Sequence, residues 1–135
     1  MIILGEREME NKLNEIRNNR LIELYIKNNY RYPVERNIIV TKDGKVYQYY
    51  NYLNGIKPLE DQNSPSENLW IDKELSDDKI NILVKFIETE IVGKNIETEF
   101  LRDVKYIVYV NYKDNYIKAR NSNIYHKLSE LIKNL

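Results

Sequence analysis

The stretch VKYIVYVNYKDNYIKAR, Val104 to Arg120, sets aromatic rings and cations in a repeating order. Taken as two strands that turn at Asp114-Asn115, it sends alternate side chains to opposite faces. Val104, Tyr106, Val108, Val110, Tyr112, Ile117 and Ala119 share an apolar face that must meet a core. Lys105, Ile107, Tyr109, Asn111 and Lys113 share the other face with Tyr116, Lys118 and Arg120. Rings, amides and positive charge in that mixture suit non-covalent recognition: a tyrosine gives contact area and a hydroxyl at low entropy cost, and cations steer partners of opposite charge. The expected register puts Tyr109 opposite Arg120, within reach of a cation–π contact.

Groups that would carry catalysis are weaker. Asp77 and Asp78 follow Ser76 and suit the first turn of a helix, where the dipole favours anions; Glu88 and Glu90, two apart on a helix, point to different sides. Glu97, Glu99 and Asp103 would gather a divalent cation if their segment were a loop, yet no glycine-centred ligand loop accompanies them. His126 is the only histidine and there is no cysteine, so neither a histidine-based zinc site nor thiolate chemistry is available. We expect no enzyme, no metal and no cofactor.

A second concentration of rings is VYQYYNYL, Val46 to Leu53. Asp43-Gly44 precedes it and Asn37-Ile38-Ile39-Val40-Thr41 precedes that, a strong signal for a hairpin with a two-residue turn. That register opposes Val40 to Tyr47 and Ile38 to Tyr49, so Tyr47 and Tyr49 are expected in the core, with Tyr50 and Tyr52 on the more polar face. Trp70 lies in a segment rich in Pro, Gly and Ser, residues 54–74, expected to be a long loop within the domain. There it either pins the loop to the core or serves a partner as an aromatic anchor. The partner-contact candidates are therefore Tyr109, Tyr116, Lys118, Arg120, Lys113, Tyr50, Tyr52 and Trp70.

The elements that position these residues follow from periodicity. Met9, Leu13, Ile16, Leu21 and Leu24 predict an amphipathic helix from Glu6 to about Lys27. Ile80, Leu83, Val84, Ile87 and Ile91 trace a second helix, capped by Ser76 and closed by Gly93, whose face Ile82 and Phe86 widen. Ile124, Leu128, Leu131 and Leu135 trace a third, capped from Asn121, Ser122 or Asn123. The order α-ββ-α-ββ-α predicts a single α+β domain over residues 1–135, with helices packed on one face of an antiparallel sheet.

Composition sets the function classes. With 21 basic and 21 acidic residues in 135, net charge points to no polyanion, and any electrostatic targeting is local. Charge is nonetheless segregated along the chain: +1 over residues 1–66, −5 over 67–103 and +4 over 104–135. No apolar run approaches a signal-peptide core or a membrane span, so a cytoplasmic protein without a membrane partner is expected. The expectation that follows is a protein-binding module that occludes a partner protein, a toxin, nuclease or defence effector, in the manner of an immunity protein or a phage-encoded anti-defence inhibitor. The alternative is a single-stranded nucleic-acid binder stacking bases on Tyr109 and Tyr116 among Lys105, Lys113, Lys118 and Arg120. Against it, the chain lacks the glycine-containing strand motif of the common RNA-recognition fold.

Overall fold

A computed structural model describes residues 5–29, 33–53, 55, 68–98 and 104–135. Nine elements follow one another: α1 (Glu6–Asn18), β1 (Arg20–Asn28), β2 (Val34–Thr41), β3 (Lys45–Tyr52), β4 (Leu69–Glu74), α2 (Asp77–Glu90), β5 (Val104–Tyr112), β6 (Asn115–Arg120) and α3 (Ser122–Asn134). The strands form one six-stranded sheet in the order β4-β3-β2-β1-β5-β6, antiparallel throughout. The α+β class therefore holds, and among the described residues no helix is long and apolar enough to cross a membrane.

The first helix spans 13 residues, short of the expected run from Glu6 to about Lys27. It stops at Asn18, and Arg20–Asn28 form β1, which pairs with β2 on one side and β5 on the other. A run of Leu, Ile, Leu, Tyr and Ile fits the pleat of a strand paired on both edges better than a helix with one wet side. Leu21, Ile22, Glu23 and Leu24 are all buried accordingly. The expected loop over 54–74 is also shorter, since its last six residues pair with β3 as an edge strand; residues 54 and 56–67 lie outside the described residues.

Both hairpin registers differ from expectation. In the first, Val40 pairs with Val46 and Ile39 with Tyr47, one residue away from the two-residue turn. Lys42, Asp43 and Gly44 make a three-residue connection, with Gly44 at φ 93° and the Thr41 hydroxyl accepting the Lys45 N–H at 3.1 Å. Asp-Gly serves this longer turn as well, because its glycine takes the left-handed position. An odd slip flips every side chain of β3 relative to β2. Tyr47 and Tyr49 thus join Ile39 on one face, and Tyr50 and Tyr52 join Val40 on the other. In the second hairpin Tyr109 pairs with Lys118 and Ile107 with Arg120, a slip of two, with Lys113 at φ 51° in the turn. An even slip preserves the faces, so the apolar pattern could not choose between the two registers.

The three helices divide between the faces instead of sharing one. Leu13 and Ile16 of α1 pack with Ile39, Leu69, Tyr47 and Tyr49. Leu83 and Ile87 of α2 and Ile124, Leu128 and Ile132 of α3 pack with Ile22, Leu24, Val40, Val46, Val108 and Val110. Neighbouring residues such as Ile39 and Val40 point to opposite sides of a strand, which assigns α1 to one face and α2 with α3 to the other.

Side-chain caps fix the helices of the second layer. The Ser76 hydroxyl accepts the Lys79 N–H at 3.4 Å and the Asn121 side chain accepts that of Ile124 at 2.8 Å. At the far end of α3, the Lys73 ammonium donates to the carbonyls of Ile132 and Lys133, and Lys79 to that of Leu135. These cations satisfy carbonyls that a helix end leaves without partners and oppose its negative dipole end. Ile82 is 47% exposed on α2, so it does not widen that helix's apolar face as expected.

Candidate functional site

The face that bears α1 is covered unevenly. α1 lies over β2, β3 and β4, where Ile39, Tyr47, Tyr49 and Leu69 meet it. Next to this covered half, β1, β5 and β6 present Arg20, Glu23, Tyr25 and Lys27, then Lys105, Ile107, Tyr109 and Asn111, then Tyr116, Lys118 and Arg120. Arg20, Lys27, Lys105, Lys118 and Arg120 stand against Glu23 as the sole carboxylate of these strands on this face.

The rings and cations there are stacked. The Arg20 guanidinium lies 4.7 Å from the centre of the Tyr109 ring and 5.8 Å from that of Tyr116, and the Lys118 ammonium 5.6 Å from Tyr109. Arg20 Nη2 also donates to the Tyr116 hydroxyl at 2.8 Å. Cation–π contacts at such sites are worth about 0.5–1 kcal/mol each. Tyr109 is therefore held between two cations, one of them Arg20 where Arg120 was expected. Tyr116 remains 64% exposed, the most open large apolar side chain among the described residues. Arg120 lies on the same face, opposite Ile107, with its N–H bonded to the Glu97 carboxylate at 2.8 Å.

Glu23 anchors the arrangement. It is 1% exposed, and its carboxylate accepts from Arg17 Nε and Nη2 at 3.1 Å, from Arg20 Nη1 at 2.5 Å and from Asn37 Nδ2 at 2.5 Å. A bulge at Leu21, where the register shifts between Arg20 and Ile22, brings Arg20 to this carboxylate. A buried charge is tolerated only when paired and fully hydrogen-bonded, and this one is. Between α1 and the strands opens a pocket of about 440 Å³, lined by Arg17, Arg20, Glu23, Tyr25, Glu35 and Tyr109 among others. The Tyr25 hydroxyl donates to Glu35 at 2.9 Å. Burial raises the hydroxyl of Tyr25 well above the usual tyrosine range, with its hydrogen bond to Glu35 adding to the effect. Burial likewise raises Tyr49 and Tyr109, helped by Glu35 and Glu23 respectively and opposed by nearby arginines. All three keep their protons at neutral pH.

The remaining candidates lie elsewhere. Lys113 sits in the β5–β6 turn with its ammonium 5.2 Å from the Tyr112 ring, and Tyr112 donates to Glu88 of α2 at 3.1 Å. Tyr50, Tyr52 and Trp70 belong to the opposite face. Tyr50 packs edge-on against Tyr52 at 6.2 Å and tilted against Trp70 at 5.2 Å, with the Arg36 guanidinium 4.8 Å from its ring. They form a half-buried cluster apart from Tyr109. His126 is exposed on α3, edge-on to Tyr106 and Tyr125. Glu99 and Asp103 lie outside the described residues, and among the described residues no three His, Asp or Glu side chains gather as metal ligands.

Arg17, Arg20, Glu23 and Asn37 escaped the sequence reading because Glu6 to Lys27 reads as one helix, which hides their convergence. The available signal was LIELYI itself: as a strand flanked by Asn18-Asn19, its central glutamate demands cationic partners. Comparison with protein-family models, with curated proteins and with solved structures finds no match to the chain.

Proposed function

We propose that this protein is a binding module whose working surface is the half of the α1-bearing sheet face that no helix covers among the described residues, β1, β5 and β6, and that it occludes an acidic surface of a partner protein. The observation that carries the reading is the stacked set Arg20, Tyr109, Tyr116 and Lys118, anchored from below by buried Glu23. Arg20 is already tied to Glu23 and Tyr116 before binding, so little side-chain entropy is lost at that residue on docking. Tyr and Arg are the residue types in which interface energy concentrates. The charge layout supports the same reading. The basic residues of β5 and β6 point away from α2, whose Asp77, Asp78 and Glu88 belong to the opposite layer, so the positive face keeps its field toward a partner. An inhibitor of the immunity-protein or anti-defence type is the role that suits a domain whose most developed feature is such a surface; the cytoplasm is where we place it.

Stacking of single-stranded nucleic acid is less well supported, because Tyr109 is already sandwiched between Arg20 and Lys118 and Tyr116 alone offers an open ring. The test is capture from the cells that encode the protein, with the wild-type chain and with Lys118→Glu as bait, before and after nuclease treatment. A protein that survives nuclease on the wild-type bait, is lost from Lys118→Glu and loses activity when the wild-type chain is added supports the reading. Capture that disappears with nuclease, or that ignores the charge reversal, contradicts it.

A further inference from the structure

We propose that the pocket between α1 and β1 seats one carboxylate side chain of the partner protein, with the guanidinium groups of Arg17 and Arg20 as its donors. The inference rests on the protein-binding reading above and adds the specific contact. Two cations converge there on a single buried anion, so Glu23 neutralises only one of them. Their side chains are 34% and 13% exposed, which places them at the pocket wall within reach of a ligand. Glu23 occupies Nε and Nη2 of Arg17 and Nη1 of Arg20, and Tyr116 takes Nη2 of Arg20. Nη1 of Arg17 and Nε of Arg20 make no hydrogen bond among the described residues.

A guanidinium held on one edge by a carboxylate still offers N–H groups on another, in the planar geometry that a second carboxylate matches. Because both arginines are already fixed, seating the ligand orders little more. The rest of the lining selects the size of the charge. Glu35 lines the same pocket beyond Tyr25, and a phosphate dianion would meet repulsion from Glu23 and Glu35 together. With Glu35 counted, the lining holds two cations and two carboxylates, so the seat rests on the directed N–H groups of the arginines, and a singly charged carboxylate meets less of this repulsion than a dianion. The protonated hydroxyls of Tyr49 and Tyr109 are further donors at the wall.

The site can be probed without the partner. N-acetyl-glutamate N-methylamide is titrated into the full chain at low salt, while the Nε–H NMR signals of Arg17 and Arg20 are followed. N-acetyl-glutamine N-methylamide and inorganic phosphate serve as parallel probes. The expected result is a saturable shift of both signals with the glutamate compound and binding at least about tenfold weaker for the glutamine compound, the scale of one charge-assisted contact. Arg17→Lys keeps the charge but loses the fork, so it should weaken both this binding and partner affinity by at least about fivefold; unchanged amide signals from β1, β2 and β5 verify its fold. No saturable shift, equal binding of the glutamine compound, tighter binding of phosphate, or indifference to Arg17→Lys overturns the seat. The two readings fail separately. If Lys118→Glu lowers partner affinity while Arg17→Lys does not, only the seat is wrong; if Lys118→Glu leaves affinity intact, the docking face is wrong and the seat falls with it as a partner site.

Discussion

Glu23 stands in the middle of the apolar run Leu21 to Ile26, and its carboxylate is the point on which Arg17, Arg20 and Asn37 converge. Replacing it with alanine leaves two guanidinium groups facing one another over an apolar strand. Glu23→Ala should therefore cost about 3 kcal/mol in urea denaturation, the scale for breaking a buried ion pair from one side. Glu23→Gln retains the acceptor oxygen and should cost less. Tyr125 makes a second residue-scale prediction. Burial, with Tyr106 beside it, pushes its hydroxyl up to about 12 from an ordinary value near 10. The folded state thus holds this proton to higher pH than the unfolded chain does. The associated stability is complete below pH about 10 and is lost as pH rises through about 12, with a loss on the order of 2 kcal/mol. Tyr25, Tyr49 and Tyr109 are raised in the same direction and add to the alkaline loss. Denaturant midpoints measured across that window should fall less steeply in Tyr125→Phe than in the wild-type chain.

At the scale of elements, α2 is the most regular piece: Leu83 is fully buried, Ser76 caps the helix and Gly93 closes its end at φ 76°. Leu83→Ala should cost about 2–5 kcal/mol in denaturant melts, and a cost below about 1 kcal/mol would mean that the face is not a core face. The β2–β3 turn makes a sharper case. Gly44 takes φ 93°, its carbonyl accepts the Leu75 N–H at 2.7 Å, and a Cβ there would press into the Leu75 carbonyl oxygen. Gly44→Ala should accordingly destabilise the domain by more than the roughly 1 kcal/mol of a conformational penalty alone, which the same melts measure. α2 was legible in the sequence because capping and 3.6-residue periodicity are local signals, whereas Asp43-Gly44 marked the turn but not its three-residue length. β1 was not legible. Leu21 and Leu24 continue the spacing of Met9, Leu13 and Ile16 closely enough to pass for helix, and only the partners on either side reveal a central strand. β4 was hidden for a related reason, since Leu69 to Glu74 becomes a strand through its pairing with β3. Most of the candidate face survived these errors. The β5–β6 register slipped by two residues, which preserves every side of the strand, whereas Tyr50 and Tyr52 moved to the α2–α3 face with a slip of one.

The molecule as a whole carries no net charge, yet its sheet separates two layers of different character. α2 and α3 close the main core on one side, and among the described residues no helix packs over β1, β5 and β6 on the other, where Glu23 and Ile107 are nonetheless buried by their neighbours. A surface of this kind steers by local charge, so the association rate with an acidic partner should fall as salt rises from low to physiological strength, and stopped-flow mixing would show it. Tyr106, which packs at 4.9 Å from Tyr125 in the main core, should behave in the opposite way to the open face: Tyr106→Ala lowers stability and leaves partner affinity of the folded fraction unchanged. If the proposed face is the binding surface, the half-buried cluster of Tyr50, Tyr52 and Trp70 on the other layer takes no part in binding. The most direct measurement is the calorimetric affinity of the purified partner for Tyr109→Ala, Lys118→Ala and Tyr50→Ala, each checked for native fold. Tyr109→Ala and Lys118→Ala should each lose more than about 1 kcal/mol of binding and Tyr50→Ala almost none. Unchanged affinity in the first two, or a loss confined to Tyr50→Ala, would contradict the proposed face.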